Sequence, residues 1–146
     1  MQQVLVLHGP NLNLLGTREP EIYGSMTLGQ LNDTLITQGL NSGVQVECRQ
    51  SNAENELIDS VQQAATNKVQ FLILNAGGYT HTSIALRDSL LATQVPFIEV
   101  HISNTYNRED FRARSYLSDI AQGVIVGLGP LGYELALNAA IKYLNK

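Results

Sequence analysis

The chain has 146 residues and carries nine Lys plus Arg against thirteen Asp plus Glu, a net charge of -4. Its length suits one domain, 1–146, able to bury about two thirds of its unfolded surface, and its acidic balance gives no global reason to bind nucleic acid or an anionic membrane. The one cysteine, Cys48 in V-Q-V-E-C-R, excludes an intramolecular disulfide and reads as a buried structural thiol; with no leader-like N-terminus and no run of membrane-spanning length, a soluble cytoplasmic protein is expected.

The first strand is predicted at 3–7, and a nineteen-residue connection, 8–26, follows it. Connections from a strand to the next helix usually take about 2 to 6 residues, and much longer ones tend to be active-site lids or disordered linkers. Leu12, Leu14, Leu15, Ile22 and Tyr23 argue against a disordered linker, because such segments are poor in apolar residues. His8, Asn11, Asn13, Arg18, Glu19 and Tyr23 give the same stretch most of the polar groups a site needs. The expected division is a fixed wall over 8–13 and a lid over 16–24.

Thr27-Leu28-Gly29-Gln30 reads as a capping box opening a helix whose stripe is Leu28, Leu31, Leu35 and Ile36, with Asn41-Ser42-Gly43 ending it. A strand at 44–49 leads to a second expected capping box, Ser51-Asn52-Ala53-Glu54, and a stripe of Leu57, Ile58, Val61, Ala64 and Ala65. A strand at 71–75 precedes a helix over 82–93 that stops before Val95-Pro96. Strands at 97–101 and 123–126 follow, and a last helix starts near Pro130, a residue suited to a first helical turn, and runs to Leu144. Strands that are apolar on both faces and alternate with helices predict an α/β fold with a parallel sheet covered on both sides. Five of them suggest a flavodoxin-like three-layer sandwich with order 2-1-3-4-5.

Ligands of such sheets bind outside the carboxyl ends of the strands. All three histidines fall at those ends: His8 after the first strand, His81 in N-A-G-G-Y-T-H after the third, and His101 at the end of the fourth. Glu99 and His101 are two apart on a strand and so share a face. A carboxylate there fixes the imidazole tautomer and favours a proton on the ring, as a general acid needs; an ion pair closing a strand end fits the same spacing. Asn75-Ala76-Gly77-Gly78 supplies an amide and unhindered backbone N–H groups suited to a carboxylate or an oxyanion, or a turn that needs two glycines for its conformation. Arg108 and Arg112, four apart, would share a helical face, either to hold an anion or as a solvated face with Glu109 and Asp110. No recognised ligand spacing marks a metal site, and none is expected.

Tyr23 and Arg18 suggest more specific chemistry. Tyrosine ordinarily ionises near pH 10, so action as a base near pH 7 requires about 4 kcal/mol of preferential stabilisation of the phenolate. One guanidinium about 4 Å away, at an effective dielectric near 20, supplies a Coulomb term of about that size before desolvation opposes it. Arg18 together with Arg108 or Arg112 would suffice; alternatively, Tyr23 simply packs the loop. The lysines at 68, 142 and 146 lie away from the carboxyl rim, which disfavours a Schiff base. A flavin-binding domain would want a short Gly- and Ser/Thr-rich first turn, and a phosphoacceptor domain an aspartate where Asn75 stands; both fit poorly.

The segments G-P-N-L-N-L-L-G-T-R-E-P-E-I-Y-G, I-L-N-A-G-G-Y-T-H-T-S, E-V-H-I-S-N, R-E-D-F-R-A-R-S-Y and G-V-I-V-G-L-G-P-L-G-Y, in this order, resemble the type II 3-dehydroquinate dehydratase family over nearly the whole chain. The resemblance implies a flavodoxin-like fold and a hydro-lyase that dehydrates 3-dehydroquinate to 3-dehydroshikimate, in aromatic amino acid biosynthesis, with neither metal nor organic cofactor. By the same resemblance Tyr23 matches the base, Arg18 its lid arginine, Asn11 the holder of a water that stabilises the enolate, and His101, oriented by Glu99, the acid. Asn75, His81, Ile102, Ser103 and Arg112 match substrate-binding positions, and Arg108 is a possible support. Asp88 matches a position reaching a neighbouring subunit's site, which fits the homododecamer, a tetramer of trimers, that the resemblance implies.

Overall fold

The computed structural model describes residues 1–17, 21 and 24–146; the expectations placed on Arg18 and Tyr23, and on the lid that would carry them, lie outside the described residues. Five parallel strands, β1 (Gln2–His8), β2 (Val44–Gln50), β3 (Phe71–Asn75), β4 (Phe97–His101) and β5 (Gly123–Val126), form one sheet in the order β2-β1-β3-β4-β5. The helices are α1 (Leu28–Asn41), α2 (Glu54–Thr66), α3 (Ile84–Thr93) and α4 (Leu131–Leu144). This is the expected flavodoxin-like order.

Strand alternation divides the core into two layers. Val4, Val6, Phe71, Ile73, Ile98 and Val100 pack on one face with Leu31 and Leu35 of α1 and Tyr133 and Leu137 of α4. Leu5, Leu7, Leu72, Leu74 and Phe97 pack on the other with Leu57 and Val61 of α2 and Leu86 and Leu90 of α3. Because β1, β3 and β4 are covered on both sides, their sequences read as unbroken apolar runs.

The caps differ in how well the sequence specifies them. Thr27 and Gln30 form the expected reciprocal box, with Gln30 N–H donating to Thr27 Oγ1 (3.2 Å) and Thr27 N–H to Gln30 Oε1 (3.0 Å). The second box does not form. The residue preceding α2 is Ala53, which has no side-chain acceptor, and Ser51 Oγ instead accepts the N–H of Ala53 (3.0 Å), turning the chain before the helix begins. For α3 the cap is Ser83, whose side chain accepts from Leu86 N–H. Arg108 and Arg112 do not share a helical face, because the segment makes two short 3-10 turns, Thr105–Asn107 and Asp110–Ala113, with Arg108 between them. Cys48 lies on the edge strand β2 and is half-buried rather than fully buried; burial, reinforced by Glu47 and Asp33, pushes its thiol up to about 12. Among the described residues no helix is long and apolar enough to cross a membrane.

Two glycines bring the ends of β1 and β3 together. A Cβ on Gly9 would stand 2.5 Å from the backbone carbonyl of Ala76, and Gly77 takes φ +58 against Pro10. Their contact lets Gly9 N–H donate to Asn75 O at 2.6 Å, which closes the floor of a pocket at the carboxyl rim.

Candidate active site

A cavity of about 140 Å³ opens at that rim, small beside the 300–1,000 Å³ usual for drug-sized ligands and suited to one compact metabolite. Among the residues lining it are Asn11, Asn75, Gly77, Gly78, His81, His101, Ile102, Ser103, Arg108 and Arg112. These ten positions, all singled out from sequence, meet in one place. Glu99 stands behind His101, and Asp88 lies on the exposed side of α3 without lining this cavity.

Each wall has a local cause. Asn11 takes a left-handed conformation, φ 71, which asparagine tolerates better than most residues, and its N–H donates to Asn52 Oδ1 (3.0 Å). Asn75 ends β3, with its Oδ1 accepting from Gly77 N–H at 3.1 Å. The 3-10 turn Gly77–His81 then carries His81 to the opposite wall. His81 Nδ1 lies 2.7 Å from the carbonyl oxygen of Arg114; since a carbonyl only accepts, Nδ1 bears a hydrogen, and Nε2 is the nitrogen left for a bound molecule.

His101 and Glu99 share a face as expected. His101 Nε2 is 2.5 Å from Glu99 Oε2, and the pair is almost completely buried. Glu99 Oε1 accepts from the hydroxyls of Ser118 (2.6 Å) and Ser115 (3.1 Å). Burial opposes ionisation of Glu99. The hydrogen bonds from His101 and Ser118, the imidazole charge and the bond from Ser115 outweigh it and hold the carboxyl below its ordinary range. An ionised Glu99 accepts the Nε2–H hydrogen bond and leaves Nδ1 as the nitrogen available to a bound molecule. The His81 ring stacks near that of His101, centroids 6.2 Å apart.

The third histidine departs from its expected setting. His8 sits at the rim in sequence, but its side chain turns into the core on the α1 and α4 side, fully buried, bonded to Tyr133 and Asn32. Desolvation lowers its pKa to about 4 despite the Asn32 bond, so the ring is neutral near pH 7. Sequence reasoning left Tyr133, Asn32, Ser115 and Ser118 without roles. Parity along β1 was the available signal for His8, which follows Val4 and Val6 onto their face, opposite to that of His101.

The open side of the cavity is basic. Arg108 Nη1 donates to Ser103 Oγ (3.2 Å), and Arg112 Nε donates to Glu109 Oε1 (3.0 Å), with Arg108 Nε also 3.8 Å from that oxygen. Arg112 foremost holds the Glu109 carboxyl below its ordinary range. Arg108 and Arg112 both line this small cavity, and paired guanidiniums suit an anionic metabolite. Among the described residues, no group of three or more His, Cys, Asp or Glu is placed to hold a metal ion.

A family model described as "Dehydroquinase class II" matches residues 2–141. The chain is 59% identical over 145 residues to the 3-dehydroquinate dehydratase of Legionella pneumophila (strain Lens), covering 99% of this chain and all of that one. It is 58% identical over 146 residues to the 3-dehydroquinate dehydratase of Thioalkalivibrio sulfidiphilus, covering 100% and 99%. The crystal structure of type II dehydroquinase from Propionibacterium acnes superposes with a TM-score of 0.93 at 43% identity, covering 97% of each chain.

Proposed function

The chain belongs to the class II dehydroquinase family, and from that premise we propose that its cavity dehydrates 3-dehydroquinate to 3-dehydroshikimate, a hydro-lyase step in the shikimate route to aromatic amino acids. The observation that carries the reading is the buried Glu99–His101 pair, 2.5 Å apart, at the wall of a cavity that also presents two arginines. It supplies a positioned acid beside a place for a carboxylate.

In the proposed mechanism Tyr23, as a phenolate supported electrostatically by Arg18 with Arg108 as further support, takes the proton from the carbon next to the ketone. The electron pair of that C–H bond becomes an enolate, stabilised by a water held by Asn11. Collapse of the enolate restores the ketone, forms the conjugated double bond and expels the hydroxyl on the anti face. The hydroxyl takes a proton from His101 and leaves as water. The proton on Tyr23 returns to His101 through solvent, so both groups are regenerated and the sum is one enone and one water per substrate.

Asn75, His81, Ile102, Ser103 and Arg112 hold the substrate in this reading, Ile102 and Ser103 partly through backbone N–H, and the chemistry calls for no metal or organic cofactor. The whole chain, 1–146, acts as a single catalytic domain in the cytoplasm. Asp88 completes a neighbouring subunit's site within a homododecamer, a tetramer of trimers.

Tyr23→Phe tests the base. The variant should lose turnover by about 10²-fold or more, while sodium borohydride with substrate should leave the wild-type enzyme active and unmodified. Near wild-type turnover by the variant, or a trapped covalent adduct, would contradict the mechanism.

A further inference from the structure

Asn75 lines the cavity, but the groups that decide which way its amide faces lie behind it in the core. His8 and Asn75 are register partners on adjacent strands, and both side chains reach the hydroxyl of Tyr133 on α4. Asn75 Nδ2 is 2.9 Å from Tyr133 Oη, Tyr133 Oη is 3.0 Å from His8 Nδ1, and His8 Nε2 is 2.8 Å from Asn32 Oδ1. Tyr133 and His8 are fully buried, so no solvent substitutes for a missing partner.

Every hydrogen in this chain has one consistent position. Gly77 N–H is a fixed backbone donor, so the atom of Asn75 facing it must be the oxygen. The nitrogen of the amide therefore faces Tyr133 and donates to it. Tyr133 then directs its own hydrogen to His8 Nδ1, which must be bare, and the His8 hydrogen sits on Nε2 and goes to Asn32. The other tautomer would leave the Tyr133 hydrogen with no acceptor in the core, an expensive orphan. Burial acts in the same direction by keeping the imidazole neutral.

We infer that Tyr133 and His8 are positioning residues for the proposed reaction, locking the Asn75 amide with its oxygen on Gly77 so that its second Nδ2–H is the one offered to a bound substrate. This rests on reading the cavity as the dehydratase site. Neither residue touches the cavity contents; both act through Asn75.

Tyr133→Phe, His8→Asn and His8→Gln test the inference. In Tyr133→Phe the aromatic packing stays and the hydroxyl goes, so KM for 3-dehydroquinate should rise tenfold or more with a smaller change in kcat. An Asn at position 8 puts an amide oxygen near the place of Nδ1 and still accepts from Tyr133, whereas Gln reaches Asn32 but leaves Tyr133 without an acceptor. KM should therefore stay within about threefold of wild type in His8→Asn and rise tenfold or more in His8→Gln. A purely structural role would instead make KM follow melting temperature across all three.

A second readout needs no turnover. In the Asn75 side-chain 15N–1H pair, observed without substrate, one proton should be shifted and protected from solvent exchange by the Tyr133 hydroxyl in the wild type and His8→Asn, and should lose both the shift and the protection in Tyr133→Phe. Unchanged Asn75 signals in Tyr133→Phe, or equal KM in the Asn and Gln variants, would overturn the inference. Failure of the wild-type enzyme to dehydrate 3-dehydroquinate would overturn the reading of the site instead, and the amide signals would still decide the relay.

Discussion

Glu99 is 1% exposed and still holds its charge, because three side chains donate to its two oxygens. That arrangement is costly to assemble, since a buried carboxylate is tolerated only when its lone pairs are met. Its return is a His101 ring held in one orientation, with Nε2 on the carboxylate and Nδ1 toward the cavity. Glu99→Gln keeps the shape and removes the negative charge behind the ring; kcat should fall about 10²-fold with a smaller change in KM, measured by steady-state kinetics. An unchanged kcat would reduce the pair to a closure of the strand end. The pairing was legible in the sequence because strand alternation alone puts positions 99 and 101 on one face. Its supporting hydroxyls, Ser115 and Ser118, were not, since they arrive from a loop whose path no local pattern encodes. His8 shows the other limit: position at the rim was readable, and so was its parity, but only parity says which side of the sheet a rim residue faces.

Among the elements, α3 carries a face that the rest of the described fold leaves uncovered. Ile84, Asp88 and Leu91 fall at helical spacing, and Ile84 and Leu91 are 57% and 48% exposed, large values for apolar side chains flanking a carboxylate. That face suits contact with another copy and supports the proposal that Asp88 serves a neighbouring site. If α3 holds the proposed assembly of twelve 16.0 kDa chains together, Ile84→Glu should lower the native mass and reduce turnover along with it; size-exclusion chromatography with light scattering reads the first. A native mass and activity equal to wild type would remove α3 from the assembly. The helices themselves were well specified in sequence where a residue with a side-chain acceptor stood at the cap, as Thr27 does. The start of α2 was misread because Ser51 spends its hydroxyl on a turn two residues before Ala53, a choice that depends on how the chain leaves β2 rather than on the four-residue pattern.

For the molecule as a whole, His8 links the fold to pH. Its ring is neutral in the folded state down to about 4, while an unfolded histidine takes a proton below about 6.5. The unfolded state thus binds more protons across that window, so stability is present above pH 6.5 and is lost as pH falls toward 4. Between pH 7 and pH 5 this amounts to about 2 kcal/mol. Glu99, whose folded pKa is also depressed, contributes stability above the ordinary carboxylate range and loses it only at lower pH, so it leaves this window clear. Urea unfolding at pH 7 and pH 5 should show a loss about 2 kcal/mol larger in the wild type than in His8→Asn; equal losses would mean that His8 is not desolvated as described. The order of the sheet was readable from alternating strands and helices because β1, β3 and β4 must be apolar on both sides. The meeting of Asn11, Asn75, His81, His101 and Arg112 was readable only as a shared rim, since their distances depend on the close approach of Gly9 to Ala76.

The most direct measurement is ultraviolet absorbance after 3-dehydroquinate is added to the purified, assembled protein without added metal or cofactor. A growing enone band that reaches the same end point whatever the enzyme concentration is the predicted result. No change in absorbance, with assembly verified on the same sample, would contradict the assignment of this cavity to dehydration of 3-dehydroquinate.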